Sequence, residues 1–271
     1  MLSFAGSFSH NFTMSSKLPL SGVVITKNEA DRIVRCVQSL LKVCKEVIVL
    51  DSGSTDETVM LARAAGARVE HQDWLGYSAQ KNAVIALANQ PWVFLLDADE
   101  WCEDGDLAKL ECLVTSEKFE KADVWNCKRQ TYFLGKSLSF GGREKEPVER
   151  IFRNDLRYLP AHVHEKLDLK NRVVKPTDIR IQHDTARNYQ EYSDKLDRYA
   201  ALFAEQNAHK AKKAYAGQAE LHAFFYLIKN YVFRGGFLDG VQGFYYHWLH
   251  MRYVRMKYKM LANGPCSRKQ E

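Results

Sequence analysis

From Ser21 onwards, short apolar runs alternate with amphipathic segments along the chain. Runs such as GVVIT and WVFLL are typical of strands that are covered on both faces, and the segments between them have the spacing of helices. The predicted strands are 22–26, 46–51, 67–72 and 91–97, and the predicted helices between them are 29–42, 54–66 and 78–89. Strands and helices alternating at this spacing predict an α/β fold with a mostly parallel central sheet flanked by helices.

Local signals set the expected ends of these helices. Asn28 is of the type that caps a helix N-terminus, which predicts a helix starting at Glu29. Ser54 and Glu57 have the spacing of a capping box, and Gly66 is a typical stop signal.

The pattern becomes less regular between 103 and 180, where mixed strands at 123–133 and 148–154 surround a glycine-containing turn. Three helices are predicted beyond it, at 188–205, 219–233 and 241–261. The sequence therefore predicts a helical C-terminal extension on the α/β domain.

Polar residues follow three of the predicted strands at their carboxyl ends, where ligands of parallel sheets bind. These residues are Thr26 to Glu29, Asp51 and Ser52, and Asp97 to Glu100. Alternation along the strand places Asp97 and Asp99 on one side, about 7 Å apart. Two such carboxylates repel unless a cation or a hydrogen-bonding ligand lies between them. We therefore expect a metal, a sugar hydroxyl or both, although these aspartates could instead cap a loop or the next helix.

Composition narrows the partners only in part. The chain has 271 residues and a formal net charge of +6, which suits phosphates, lipid headgroups or nucleic acid. Acidic residues at the strand ends argue against nucleic acid there, so we expect no nucleic-acid partner. The six cysteines form no C-x-x-C pair and have no zinc spacing, and several lie in apolar or helical segments, which favours free thiols in the cytosol. Without a secretory signal or a run of transmembrane length, we expect a cytoplasmic protein, free or on a membrane surface.

The strand-end motifs VVITKNEADRI, VIVLDSGSTDET and FLLDADE, in this order, resemble family 2 glycosyltransferases of the GT-A fold. GYSAQKN, RIFRN, VHEKL and IQHDTARNYQEYSDKLDRYA, with YLIKNYVFRGGFLDGVQGFYYHWL near the C-terminus, resemble the lipopolysaccharide inner-core β-1,4-glucosyltransferases. The resemblance implies an inverting transfer of a hexose, glucose from UDP-glucose, onto a heptose of the lipopolysaccharide inner core. It also implies a catalytic domain at 18–185 and a helical extension at 186–271, and we expect residues 1–17 to be a flexible leader. The catalytic domain divides into a donor half, 18–110, and an acceptor half, 111–185.

The resemblance also implies roles for individual residues. Glu165 matches the catalytic base, and Asp99 and His183 match ligands of a divalent cation, magnesium or manganese. The residues implied to bind the donor nucleotide are Thr26, Asn28, Glu29, Asp51, Lys81 and Asp97. Four of these residues have a structural alternative: Asp51 as a capping residue, Glu29 as a first-turn helix residue, Lys81 as a solvated lysine and His183 as a satisfied histidine. Spacing alone favours Glu165 no more than Glu144 or Glu149.

Two arginines and two histidines are of the types that bind phosphate and zinc. Arg150 and Arg153 could hold phosphate oxygens of the donor or acceptor, or could be ordinary strand-face charges. His162 and His164 flank Glu165, but no third nitrogen or sulfur ligand has suitable spacing, which argues against zinc.

The last predicted helix interleaves aromatic and basic residues, which suits contact with anionic headgroups at the inner face of the cytoplasmic membrane. The aromatic residues are Trp248, Tyr253 and Tyr258, and the basic ones are Arg252, Arg255, Lys257 and Lys259. The alternative is a helical pair that only packs on the catalytic domain.

Three competing functions remain at this point. Another family 2 transferase could use a polyprenyl phosphate, a capsule precursor or a protein as acceptor, because the donor half would look the same. A phosphotransferase of the haloacid dehalogenase type also has D-x-D after a strand, but normally after the first strand and followed by threonine. A non-catalytic nucleotide-sugar-binding module is the third.

Overall fold

The computed structural model describes residues 17–142, 147–160, 165–207 and 217–263. The chain forms two compact units. Unit 1 contains the residues up to 128 together with 147–181, and unit 2 contains 129–146 and the residues from 182 onwards. The sequence predicted a single boundary at 185, whereas the structure also assigns the segment 129–146 to the second unit.

The first part of the chain alternates strands and helices. Its elements are β1 (Leu18–Thr26), α1 (Ile33–Val43), β2 (Cys44–Asp51), α2 (Thr58–Ala64), β3 (Arg68–His71), α3 (Tyr77–Ala86), β4 (Trp92–Asp97), β5 (Glu100–Trp101) and α4 (Asp104–Val114). Four strands follow, β6 (Val124–Phe133), β7 (Lys136–Ser137), β8 (Pro147–Arg153) and β9 (Val174–Asp184). The helices beyond them are α5 (Tyr189–Gln206), α6 (Gln218–Leu227) and α7 (Gly240–Asn263).

The strands form one sheet in the order β3-β2-β1-β4-β8-β6-β9-β5, and β7 pairs with β6. The strands from β3 to β4 are parallel to one another, while β8 is antiparallel to both β4 and β6. This arrangement confirms the predicted α/β class, with its parallel strands joined through helices.

Helices cover both faces of the parallel strands, which explains why those strands are apolar throughout. One buried cluster joins Val24, Val49, Phe94 and Leu96 to α1 and α4. The residues between them in sequence, including Val23, Ile48, Val93 and Leu95, pack with Val84 and Ile85 of α3 on the other face. Asp97 continues the alternation of Val93 and Leu95, so it follows the face covered by α3.

Two predicted helix starts are wrong. Helix α1 begins at Ile33 rather than at Glu29, and its N-cap residue, Arg32, makes no side-chain cap. Asn28 instead has a φ of 56°, and its side-chain oxygen accepts from the backbone N–H of Thr55 at 2.8 Å. Helix α2 begins at Thr58 without a side-chain cap from Glu57, so Ser54 and Glu57 form no capping box.

Unit 2 confirms the predicted helical extension. Helix α5 starts where predicted, and the side chain of Asn188 accepts from the backbone N–H of Glu191 at 2.9 Å. Helix α6 is continued by a π-helix, Ile228–Phe233, and a 3₁₀ turn, Gly236–Asp239, before α7. The core of this unit joins Phe133, Leu138, Ala186, Tyr192, Leu196, Tyr246 and Leu249.

The predicted aromatic and basic membrane face of α7 is mostly engaged within unit 2. Tyr253 packs against the core of the unit, and the ring of Tyr258 stacks on His222 with centroids 4.1 Å apart. Arg252 pairs with Asp197 at 2.6 Å, whereas Arg255 and Lys259 each lie 3.2 Å from Glu220. Of the predicted aromatic residues, Trp248 is exposed. Among the described helices, none combines the length and apolarity needed to cross a bilayer.

Candidate active site

The carboxyl ends of β1, β2 and β4 meet at one edge of the sheet, as predicted. In the parallel register Thr26 pairs with Asp51, and Ile25 pairs with Asp97. The polar residues that follow the three strands are therefore neighbours because the sheet aligns them.

A buried arginine neutralises part of the acidic cluster at this edge. Nη2 of Arg150 lies 2.6 Å from Oδ2 of Asp97 and 2.6 Å from Oε1 of Glu100. The side chain of Arg150 is 5% exposed and that of Glu100 is 0% exposed. Burial acts to lower the pKa of Arg150, but Asp97 and Glu100 outweigh it and hold that pKa well above its ordinary value. This guanidinium is therefore permanently charged.

The predicted geometry of Asp97 and Asp99 needs correction. Strand β4 ends at Asp97, and Ala98 and Asp99 form a turn, so strand alternation does not carry through to Asp99. The second oxygen of Glu100, Oε2, turns back and accepts from the backbone N–H of Asp97 at 3.1 Å. Arg150 places a cation between Asp97 and Glu100. The sequence had led us to expect a metal or a sugar hydroxyl between Asp97 and Asp99.

Lys81 links the acidic edge to the predicted base. Its Nζ lies 3.5 Å from Oδ1 of Asp97 and 3.8 Å from Oε2 of Glu165, and 5.5 Å from the ring centroid of Tyr158. The lysine side chain is 8% exposed and that of Glu165 17%. Burial acts to lower the pKa of Lys81, but Asp97, Tyr158 and Glu165 raise it above its ordinary value. Lys81 is therefore a buried ammonium and not a solvated surface lysine.

Three consecutive residues of α3 fasten different parts of the site. Gln80 is fully buried, and its Nε2 donates to Oγ of Ser52 at 3.0 Å. Lys81 faces the acidic edge, as described above. Asn82 exchanges two hydrogen bonds with the backbone of Tyr158, at 2.8 and 3.0 Å. Helix α3 thus positions both the loop after β2 and the backbone at Tyr158.

Sequence reasoning missed four residues of this arrangement: Gln80, Asn82, Glu100 as an ion-pair partner, and Tyr158. The first two lie within the QKN motif, where only Lys81 was singled out. Burial raises the pKa of Tyr158. No spacing rule connects Tyr158 to α3, because the contact is made only in the folded chain.

Asp51 has a clear structural role in the loop after β2. Its Oδ2 accepts from the backbone N–H groups of Gly53 and Ser54, each at 2.9 Å, and its Oδ1 accepts from Oγ of Ser54 at 2.5 Å. The neighbouring Oγ1 of Thr26 is buried without a hydrogen-bond partner among the described residues. Because an unpaired buried hydroxyl is costly, this position fits a polar ligand.

Asn28 and Glu29 lie in the loop after β1 and join it to the start of α2. The backbone N–H of Glu29 donates to Oγ1 of Thr58 at 2.7 Å, and its carboxylate pairs with Arg32 at 2.6 Å. Asn28 is exposed and binds Thr55, so both residues lie beside the Asp51 loop. Their predicted contact with a nucleoside stays a prediction.

The prediction of phosphate contacts for two arginines is revised. Arg153 pairs in register with Trp92 at the amino end of β4, roughly 16 Å along the strand from Asp97. There it pairs with Glu120 and lies 4.3 Å from the ring centroid of Trp92. Arg150 is at the site, but its Nη2 is occupied by two carboxylates. Arg150 therefore positions acids, and Arg153 lies outside the site.

The acidic edge fits a metal ion that receives most of its ligand atoms from a bound substrate. Asp99 is half-buried at the site. The cations Lys81 and Arg150 offset two of the four negative charges there, which leaves a net formal charge of −2. The four carboxylates are those of Asp97, Asp99, Glu100 and Glu165. Within the described ranges, no three or more His, Cys, Asp or Glu side chains are grouped to hold a metal. Magnesium is usually bound by one or two carboxylates together with substrate phosphates, which such an edge can provide.

The remaining predicted residues are placed as follows. His183 lies half-buried in β9, within unit 2, and its metal ligation stays a prediction. Glu149 is half-buried in β8, where a register shift against β6 at Arg150 interrupts regular alternation. It lies near Tyr158, whose pKa is raised by burial and further by Asp97 and Glu149. Glu144, His162 and His164 lie outside the described residues.

Comparison with known proteins identifies the family. The family model described as glycosyl transferase family 2 matches residues 21–162. The chain is 30% identical over 240 residues to the lipopolysaccharide core biosynthesis glycosyltransferase LpsC of Rhizobium meliloti, covering 85% of this chain and 87% of that protein. It is also 26% identical over 234 residues to the uncharacterized glycosyltransferase RT0209 of Rickettsia typhi, covering 83% and 80%.

Solved structures give weaker likenesses. The crystal structure of S. aureus TarS 1–349 covers 92% of this chain and 93% of that chain, at 12% identity and a TM-score of 0.45. The assignment therefore stands on the family model, which matches more than half of the chain and includes the strand-end motifs that form the site. This chain belongs to glycosyl transferase family 2.

Proposed function

We propose that the protein transfers a hexose, glucose from UDP-glucose, onto a heptose of the lipopolysaccharide inner core with inversion at the anomeric carbon. The observation that carries this proposal is the ion-pair bridge through Lys81, which brings Glu165 to the acidic edge that ends β4. The similarity to LpsC, whose name states lipopolysaccharide core biosynthesis, supports the class of acceptor.

In this proposal Glu165 is the catalytic base. Inversion in one displacement needs a single base that takes the proton of the acceptor hydroxyl as the sugar is attacked from the face opposite the leaving group. The carboxylate of Glu165 is partly exposed and lies 3.8 Å from the buried ammonium of Lys81. Glu149 also lies near Tyr158, so the ion pair of Glu165 with Lys81 is what favours Glu165 between the two.

The donor would lie along the ends of β1, β2 and β4. Thr26 and the Asp51 loop, with Asn28 and Glu29, would form the nucleoside end, and Lys81 and Asp97 would meet the ribose and diphosphate. Asp99 would hold a magnesium or manganese ion together with the diphosphate. Such an ion stabilises the negative charge that develops on the leaving nucleoside diphosphate.

An acceptor that is anchored in lipid must be met at a membrane surface. We therefore place the protein in the cytoplasm, bound peripherally to the inner face of the cytoplasmic membrane. The net positive charge of +6 is compatible with an anionic surface.

The test is UDP release from a panel of UDP-sugars, with and without magnesium or manganese, using heptose-bearing inner-core lipopolysaccharide as acceptor. We expect metal-dependent release from UDP-glucose that the acceptor accelerates. Glu165→Gln should reduce turnover by about 10²- to 10⁴-fold, because general base catalysis contributes that much. Donor affinity should be retained, and Glu149→Gln is the matched variant, which we expect to keep more activity than Glu165→Gln.

Each arm decides a different part of the proposal. Full turnover in Glu165→Gln would exclude it as the base. Release that is indifferent to the acceptor would exclude the heptose acceptor and direct the search to polyprenyl phosphates, capsule precursors or proteins. Release that is independent of metal, or unchanged in Asp99→Asn, would exclude the metal role of Asp99.

A further inference from the structure

Unit 2 has an apolar surface that its own core does not use. It is formed by exposed side chains between Leu221 and Trp248, on α6, the π-helix, the 3₁₀ turn and the first turns of α7. Its most exposed members include Phe233 at 82%, Val241 at 65% and Phe225 at 59%. We call this surface the apolar face.

Helix α7 begins with two hydrophobic sides. One side packs in the core of unit 2, and the other belongs to the apolar face. Tyr246 and Leu249 are buried in the core of unit 2. Val241, Phe244 and Trp248 have the i, i+3, i+7 spacing of a single stripe, and all are at least 46% exposed. A helix that is apolar on two sides is normally covered on both, so this stripe calls for a partner.

Ring contacts join the stripe of α7 to the preceding turns. The ring centroid of Tyr231 lies 6.2 Å from that of Phe244 and 6.3 Å from that of Phe237. Phe244 in turn stacks with Trp248 at 6.2 Å. The apolar face is therefore continuous across three elements, unlike isolated exposed apolar residues, which are common on soluble proteins.

The charges around the apolar face indicate which partner it fits. Between Leu221 and Trp248 the sequence contains one acidic residue, Asp239. Asp239 is 3% exposed, and its carboxylate accepts from the backbone N–H groups of Ser139 and Phe140 at 2.9 and 3.1 Å. The exposed charges in this segment are the cations Lys229 and Arg234. Glu220, directly before this segment, is exposed but is paired with Arg255 and Lys259. Exposed aromatic residues bordered by cations complement the headgroup region of an anionic bilayer.

We propose that the apolar face inserts into the boundary between headgroups and acyl chains of an anionic membrane. This inference rests on the proposed function and specifies which surface would make its membrane contact. The surface is not the one that the sequence predicted. The contact is made by α6, the turns after it and the start of α7, whereas the C-terminal half of α7 is engaged within unit 2.

The test is co-sedimentation of the full chain with vesicles of mixed phosphatidylethanolamine and phosphatidylglycerol. We expect binding, and at least about tenfold weaker binding for Phe233→Ser/Val241→Ser, because each side chain buries apolar area in the membrane. The matched control is Met60→Ser/Val173→Ser in unit 1, whose side chains are 57% and 49% exposed. This control should bind like the wild type.

Charge is tested separately by Lys229→Glu, with Lys170→Glu as its control. Reversal of the charge at Lys229, which borders the apolar face, should weaken binding by about fivefold or more. Reversal at Lys170, which lies in unit 1, should leave binding unchanged. Vesicles of phosphatidylcholine alone should bind the wild type more weakly than the anionic vesicles.

Three results would overturn the inference: no binding of the wild type to anionic vesicles, undiminished binding of the apolar double variant, or equal losses in both double variants. Self-association in sedimentation velocity, abolished by Phe233→Ser/Val241→Ser and without vesicle binding, would identify a second copy of the chain as the partner instead. UDP release measured with the lipopolysaccharide acceptor but without vesicles separates the two proposals, because vesicle binding without UDP release would refute only the transferase.

Discussion

At the scale of single residues, Arg150 determines the charge state of the acidic edge. Its guanidinium bridges Asp97, at the end of β4, and Glu100, which is completely buried. A buried carboxylate that loses its partner is strongly unfavourable, since desolvation is no longer offset by attraction. Arg150 is thus a positioning residue that allows acids to gather where the donor is proposed to bind.

We predict that Arg150→Met lowers the free energy of unfolding by about 3 kcal/mol, because it leaves Glu100 buried without its cation. The control is Arg153→Met in the same strand, whose ion pair with Glu120 is more exposed, with side chains 28% and 64% exposed. That variant should lose about 1 kcal/mol. Urea unfolding of both variants is the measurement, and equal losses would contradict the bridging role.

At the scale of elements, α5 shows a helix start that local sequence determines. Asn188 caps the helix by accepting from Glu191, whose carboxylate in turn accepts from the backbone N–H of Arg187 at 2.7 Å. We predict that Asn188→Ala costs about 1 kcal/mol of stability, measured by urea unfolding, whereas Asn188→Ser keeps an acceptor and costs less. If serine destabilised as much as alanine, the hydrogen bond would not be the source of the stabilisation.

The comparison of Asn188 with Asn28 explains how far sequence predicts this fold. Both residues are good caps by type, yet Asn28 binds Thr55 across the site because two loops meet there. Local propensity cannot anticipate a partner 27 residues away in the chain. Helix α4, Asp104–Val114, was missed for a related reason, since its buried face is limited to Asp106, Leu107 and Leu110.

The residues of the candidate site, too, were only in part predictable from the sequence. The convergence of Thr26, Asp51 and Asp97 followed from strand order, because parallel register is a general rule. The roles of Arg150, Glu100 and Tyr158 depend on an antiparallel strand and a return loop whose positions no periodicity specifies. The sequence predicted a metal or a sugar hydroxyl between Asp97 and Asp99, and it did not show that Arg150 would pair with Asp97 and Glu100.

At the scale of the whole molecule, four cysteines report on the packing of the sheet against its helices. Cys36, Cys44, Cys102 and Cys127 all belong to one buried cluster. They are free thiols, as is the exposed Cys112. Burial raises the pKa of Cys127 to about 12, and burial likewise raises the pKa values of Cys36 and Cys102. Because the thiolate is the reactive form, these buried thiols should be unreactive in the folded protein.

We predict that iodoacetamide at pH 8 modifies the native protein at Cys112 and spares the four clustered thiols. Cys266 lies outside the described residues, so the measurement uses a Cys266→Ser background, in which intact mass should show one adduct when native and five in urea. Since the four thiols share one core, they should become reactive together across the urea transition, in parallel with circular dichroism. Early modification of Cys36 alone, which lies 3.5 Å from the carbonyl oxygen of Asp97, would instead show that the acidic edge opens independently of the core.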